Sequence, residues 1–564
     1  MILYSENLSV QYFLCSNFIA RKTSEQFVFI FVRTAAYILS KHNPKNKTEE
    51  YFMDFRLNRE NLTCSDVILN ADVTQTAEHD FILPDYCPDI FRVLKCCVVP
   101  GIISTGINGS RMTFDLSVLI RVIYRSDDGA GIHCIEQTLD FSKTVDLPAD
   151  AVNPAVEVKP SVEYVNCRVV NQRRLDVKGS VICHVKVVGE KNCEVVSDAF
   201  GCGIQLRKAP IVFPAKRLTA AKRITVIEEL ELAAGKPPFG VLLRCGTEIN
   251  KGEQKIVSGK LITRGEVKIS ILYLPKDSDS KSPECMKFSI PFSQIIDVDG
   301  IDEGFEPTVD ITAAKCTVIP KTDESGVLEC ELVMLVNITA TKYDTCELVT
   351  DAYSTIYECE CETLALTPQS APQKINTAAT VQSEISCSDG EIEKIYDLWC
   401  EQPSVSYRYD EQRKAVVLYG KITFCMLARL KEGFSAYAEK ECAFETLYET
   451  GDEDSSQLEL QPEINVSGCS YGMTENGAEV TAELLIGGTR SKKLGIPLLS
   501  SINVLTDSPK ECDKKCAVKI CYTKTDENLW DIAKKYSTSA EAILEENEIE
   551  GQGGRRILII PMKN

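Results

Sequence analysis

Phe114-Asp115-Leu116-Ser117-Val118-Leu119-Ile120-Arg121-Val122-Ile123-Tyr124 places a large apolar side chain at every second position. Successive side chains of an extended chain point to opposite faces, so Phe114, Leu116, Val118, Ile120, Val122 and Tyr124 line one side of a strand. A helix would scatter the same residues around its circumference. The pattern returns in Val267, Ile269, Ile271 and Tyr273, and again in Ile422, Phe424, Met426 and Ala428. Turn-forming clusters, Ser126-Asp127-Asp128-Gly129 and Asp277-Ser278-Asp279-Ser280, follow the first two runs. Helical periodicity is scarce, so the chain is expected to be mostly β.

Working outward, the three runs belong to three copies of a longer unit. Cys193-Glu194-Val195-Val196-Ser197-Asp198-Ala199 returns as Cys346-Glu347-Leu348-Val349-Thr350-Asp351-Ala352, an offset of 346 − 193 = 153. Val93-Leu94-Lys95-Cys96 returns as Leu242-Leu243-Arg244-Cys245, and more weakly as Asp397-Leu398-Trp399-Cys400. Cys167, Cys316 and Cys469 follow the same spacing. A period near 150 residues is too long for a solenoid unit and suits a whole domain. We expect three tandem β-rich, sandwich-like or barrel-like modules at 81–205, 225–360 and 375–505, the third being the most divergent.

Composition narrows the function classes. With 564 residues and a formal charge of −20, the chain is a multidomain globular protein. Its acidity argues against nucleic-acid binding, which wants clustered Lys and Arg. The four histidines are His42, His79, His133 and His184, so everything after His184 works without imidazole. Cysteine is abundant at 25, but the odd count and sparse spacing do not resemble a disulfide framework, and a reducing cytosol is the better reading. Cys512, Cys516 and Cys521 lack a fourth ligand and the usual pairing of a zinc site, so no metal and no other cofactor is expected. No run reaches the ~20 apolar residues of a membrane span, and no signal-peptide pattern stands at the start.

Residues 1–52 hold ten aromatics and look foreign to the rest. The expectation is that Met53 is the true initiator and that 1–52 are upstream translation; the alternative is a real extension. Residues 53–80 read as a lead-in. Leu83-Pro84-Asp85-Tyr86-Cys87-Pro88-Asp89-Ile90 opens the first module. Pro84 and Pro88 hold that stretch extended and remove two backbone donors. With Asp85 and Asp89 they fix the path into the module or form an acidic edge for a partner.

After a charged linker at 506–516 the pattern changes. Val518, Ile520 and Tyr522 alternate as a strand, and Leu529, Ile532, Ala533 and Tyr536 recur at helical spacing behind Asn528, a good N-cap. Thr538 and Glu541 form a capping-box pattern for a second helix. Ile557 to Ile560 make a last strand before Pro561. The expected order over 517–562 is β-α-α-β.

That tail resembles the LysM family in Leu529-Trp530-x-Ile532-Ala533, in Asn547-x-Ile549 and in Leu558-x-Ile560-Pro561. The resemblance implies a small groove domain whose loops, here Asp526, Glu527, Asn528, Asn547, Ile549 and Glu550, bind N-acetylglucosamine polymers such as peptidoglycan, or a protein. Asp526, Glu527 and Asn528 stand where the family usually has Gly-Asp-Thr, a departure unfavourable to glycan. Upstream, Pro84-Asp85-x-x-Pro88-Asp89-Ile90 resembles the opening signature of the SPOCS domain of bacterial sporulation proteins. Tandem SPOCS copies followed by LysM are similar to SipL-like spore-envelope proteins of clostridial type. The resemblance implies a mother-cell cytoplasmic protein at the forespore surface. It would be a scaffold attaching the coat's basement layer, whose organiser is an ATPase, stage IV sporulation protein A. The alternative is a cell-wall protein that binds peptidoglycan through its LysM domain.

An enzyme reading has one motif in its favour. Gly468-Cys469-Ser470-Tyr471-Gly472 matches the Gly-x-Ser-x-Gly nucleophile elbow. That chemistry needs a strand–turn–helix and a base histidine, and no histidine follows Ser470. Gly487-Gly488-Thr489-Arg490-Ser491-Lys492 lacks the Gly-Lys-Ser/Thr ending of a P-loop. A non-enzymatic protein is expected, with Trp530 in the tail core or stacking on a sugar.

Overall fold

A computed structural model describes residues 54–126, 131–148, 152–276, 282–321, 326–364, 370–450, 455–475, 477–493, 497–511, 517–523, 527–547 and 557–561. The proposed start at Met53 and residues 1–52 lie outside them. The described residues form three modules of like design and a small tail, mostly β as expected.

In the first module, β2 (Ile90–Asn108), β3 (Arg111–Ser126) and β4 (Ile132–Asp146) make one antiparallel sheet in that order. A second sheet has the order β1-β6-β5, from β1 (Arg56–Ile82), β5 (Ala155–Asn171) and β6 (Arg174–Phe200). The two sheets face each other over a core in which Met112, Phe114, Leu116, Val118, Ile120, Val122 and Tyr124 are almost wholly buried, opposite Leu175, Val177, Val181, Cys183 and Val185. The alternation that decided the fold class is thus the inner face of the central strand.

The second module repeats the plan. Its body sheet is β8 (Phe239–Val257), β9 (Lys260–Pro275) and β10 (Glu284–Asp297), and its other sheet has the order β11-β12-β7 from β7 (Ile204–Glu231), β11 (Glu306–Pro320) and β12 (Val327–Ser354). The third has β16 (Ile392–Asp410), β17 (Ala415–Leu430) and β18 (Ser435–Tyr448) as its body sheet. Opposite stand β14 (Gln373–Lys374) and β15 (Thr377–Ile385), which both pair with β20 (Ala478–Lys492), and β19 (Leu458–Met473) on the other side of β20.

The longest strands extend beyond the sandwich as two-stranded arms. Arg56–Ser65 pairs with Glu190–Phe200, and β7 pairs with β12 out to Ile204 and Ser354. In the third module the arm is built from separate pieces, β13 (Tyr357–Thr363) and β21 (Leu499–Pro509).

These strands move the expected limits. Within the expected lead-in of 53–80, residues 56–80 belong to the first module, because β1 pairs with β6 along its length. Residues 205–224 belong to β7, inside the second module. Thr506–Pro509, expected in the linker, are in β21. Both β1 and β7 are edge strands with many exposed polar side chains, which weakens the apolar alternation that marks a strand in sequence.

Among the described residues, buried apolar clusters join the three modules, and two of them bring equivalent positions together. In the first, Ile123, Leu272 and Leu427 are equivalent residues of the three central strands, and all three are buried in one cluster. The outer face of the central strand is therefore buried at its end, where a sheet with one buried face was expected. In the second, Val196, Val349 and Leu499 pack with Ala199, Ala352 and Ile502, joining the three arms. The Cys193–Ala199 repeat and its Cys346–Ala352 copy are thus the arm interface. Gly101 lets β2 approach β11: a Cβ there would lie 2.1 Å from the Ala314 carbonyl oxygen.

Candidate functional site

The tail has the expected order: β22 (Val518–Tyr522), α1 (Leu529–Lys535), α2 (Ala540–Glu546) and β23 (Ile557–Pro561), with β22 and β23 antiparallel. Asn528 caps α1, its side chain accepting from the Asp531 N–H at 2.8 Å. The second helix is capped by Ser539, which accepts from the Ala542 N–H, and not by the expected Thr538. Thr538 is occupied in closing α1, where its N–H donates to the Ala533 carbonyl.

The six groove residues expected from sequence do not form one described site. Asp526, Ile549 and Glu550 lie outside the described residues. Glu527 is half-buried. Asn528 is engaged as a cap. Asn547 ties α2 to β23: its Nδ2 donates to the Ile543 and Ile559 carbonyls at 2.7 Å, and its Oδ1 accepts from the Ile559 N–H at 2.8 Å. Its role is architectural.

Trp530 packs against the tail core, as one of its two expected readings has it, and does more. Its indole N–H donates to Asp351 of the second module at 2.7 Å. Lys534 reaches the same carboxylate at 2.7 Å. Tyr353 meets the Trp530 ring edge-on at 4.9 Å and donates to the Thr538 carbonyl. Burial pushes the Tyr353 phenol up to about 12, so it stays a donor at neutral pH. The tail is therefore seated on the tip of the second arm. Chain path explains the choice of arm. β21 pairs with β13, which directly follows β12, so the tail emerges beside Tyr353.

The surface that sequence reading missed is the outer face of the tail sheet. Cys521, Leu558 and Ile560 point to the helices and are buried. Ile520, Tyr522, Ile557 and Ile559 point away and are 64%, 75%, 62% and 41% exposed. They stand directly opposite one another, Ile520 against Ile559 and Tyr522 against Ile557. The signal was present in Ile557-Leu558-Ile559-Ile560, since a strand apolar at both parities has two apolar faces.

The opening motif of the first module folds back on itself. Cys87 N–H donates to the Pro84 carbonyl at 2.9 Å. Arg173 donates to the Pro84 carbonyl and to the Asp89 carboxylate, both at 2.8 Å. Tyr124 OH donates to the Pro88 carbonyl at 3.2 Å, as Tyr273 does to Pro237 in the second module. Pro84 and Asp85 are exposed, the Asp85 carboxylate lying 3.9 Å from the Arg173 guanidinium. The motif is a clasp across the end of the sandwich.

Gly468 to Gly472 runs straight through β19, paired with β20. The sharp strand-to-helix turn of a nucleophile elbow is not formed there.

Residues 89–170 and 240–319 match the family model described as SipL, SPOCS domain. The chain carries SPOCS domains. Each matched stretch runs from the second to the fifth strand of its module, through the body sheet and across to the facing one. A sporulation-related role follows from the two SPOCS domains. No curated protein and no solved structure matches the chain. No helix among the described residues is long and apolar enough to cross a membrane.

Proposed function

We propose that the chain is a non-enzymatic adaptor of the bacterial spore envelope. In this reading the joined SPOCS modules are the scaffold, and the LysM-like tail docks a coat basement-layer protein of the stage IV sporulation protein A type. The site of action is the forespore surface, on the mother-cell side. The observation that carries the reading is the exposed face of Ile520, Tyr522, Ile557 and Ile559. Fully burying an apolar side chain of this size contributes about 1.5–3 kcal/mol, so four in one patch form the core of a protein interface. A glycan needs polar groups aimed at its hydroxyls, and apart from the Tyr522 hydroxyl these four side chains offer none. Two of the expected groove side chains, Asn528 and Asn547, are already engaged within the tail.

The test uses the full chain and its Ile520→Asp variant. Each is offered to the immobilised basement-layer ATPase and, separately, to insoluble peptidoglycan. The expected result is capture by the ATPase, weakened at least about tenfold by the substitution, with no retention on peptidoglycan. Peptidoglycan retention without ATPase capture would overturn the reading in favour of a cell-wall glycan binder. ATPase capture indifferent to Ile520→Asp would move docking off this face.

A further inference from the structure

Each module has a seam. Its second and fifth strands are edge strands of opposite sheets that lie side by side without a shared hydrogen-bond ladder. A pair of thiols crosses that seam in every module. Cys245 on β8 and Cys316 on β11 have their sulfurs 3.5 Å apart. Cys400 on β16 and Cys469 on β19 are 3.3 Å apart. Cys96 on β2 and Cys167 on β5 are hydrogen-bonded to each other. The sequence separations are 71 and 69 residues for the second and third pairs, and 167 − 96 = 71 for the first. All six side chains are half-buried.

Chance burial of small apolar residues would not pair cysteines three times across the same seam. All three copies, the divergent third included, carry a thiol on both sides of it.

We propose that these pairs are disulfide-forming sites, closed by a peroxide-class oxidant, that staple the seam of each module after the chain has folded. In the reaction, one thiolate attacks a peroxide oxygen and breaks the O–O bond, giving a sulfenic acid and water. The partner sulfur then attacks the sulfenic sulfur, forming the S–S bond and releasing a second water. Two thiols are oxidised and one peroxide is reduced. The movement required is small, from contact to a bond of about 2.05 Å. One thiol of each pair, Cys167, Cys245 and Cys469, is held below the usual thiol range, mainly by the hydrogen bond from its partner. Arg121 and Arg244 favour the Cys245 thiolate further, and Lys287 and Arg244 that of Cys469. In a reducing cytosol the modules stay open-seamed, and loss of reducing power around the protein locks them.

The test treats the reduced full chain with hydrogen peroxide, blocks remaining thiols with an alkylating reagent, and maps linked peptides by mass spectrometry. The expected result is three links, Cys96–Cys167, Cys245–Cys316 and Cys400–Cys469, each lowering the mass by about 2 Da. The thermal midpoint should rise by about 5 °C or more and fall back with dithiothreitol. Cys245→Ser should remove its own link and leave the other two. Cys330→Ser should leave all three, although Cys330 lies 3.9 Å from Cys316. Sulfinic acids in place of links, or scrambled pairing, would overturn the assignment. Links that form without any change in midpoint would overturn the stapling role.

Discussion

Arg244 of the second module donates to Asp397 of the third at 2.9 Å, and strand register, which shifts the third copy by two residues from the sequence alignment on Cys400, makes the two residues equivalent. Each directly follows the register shift in the second strand of its module, and so does Lys95 in the first. Asp397 is 3% exposed, and Arg244 lies over the Trp399 ring at 4.4 Å. Lys95 is answered by Glu401 at 3.0 Å and Glu439 at 3.1 Å, also from the third module. Three identical cations converging on one junction would repel each other where water cannot screen them. Divergence of the third copy, which makes its repeat hard to see in sequence, supplies the acids that neutralise the other two.

Removing one partner of that pair leaves a buried charge unanswered. Asp397→Ala should cost about 3–5 kcal/mol, whereas Arg244→Met with Asp397→Leu should cost much less. Urea denaturation of the parent and the two variants, read as shifts in midpoint at constant slope, checks this.

Asp351 holds the tail through two charge-assisted or polar hydrogen bonds, from Trp530 and Lys534. Asp351→Ala should weaken docking by about 2 kcal/mol. Trp530 emission should then shift to the red, and amide protection of α1 should fall in hydrogen exchange. Trp399, in the module junction, should keep its emission.

Glu463 of the third module lies 3.3 Å from Lys251 of the second and 3.7 Å from Lys159 of the first. Burial pushes its carboxyl up, but the two ammonium groups outweigh burial and hold it below its ordinary value of 4.5. The stabilisation is therefore complete above about pH 4.5 and is lost as pH falls through the lower, folded value. Glu463→Gln should lower the urea midpoint at neutral pH, and the gap from the parent chain should close on acidification.

Gly101→Val places a branched side chain against the Ala314 carbonyl, where even a Cβ would sit at 2.1 Å. The contact is backbone on backbone and has no flexible end to yield, so the first and second modules should separate. A loss of about 1–3 kcal/mol is expected, read as an early unfolding step of the first module in hydrogen exchange.

Sequence alone determined the fold class, the period near 150 residues and the inner faces, because a strand buried on one side writes its burial at period two. The inner face from Phe114 to Tyr124 and the β-α-α-β order of the tail were legible for that reason. Strands β1 and β7 were not, since edge strands need not be apolar. Asn547 was legible as a fixed position of the tail but not as a clamp between α2 and β23, because its partners are backbone groups of no particular sequence. Only the tertiary structure decided that Arg244 meets Asp397, that the tail sits on Asp351 and Tyr353, and that Ile520, Tyr522, Ile557 and Ile559 face outward. Each depends on which elements of distant modules come together, and that is set by packing of whole surfaces, not by the local spacing that a sequence displays.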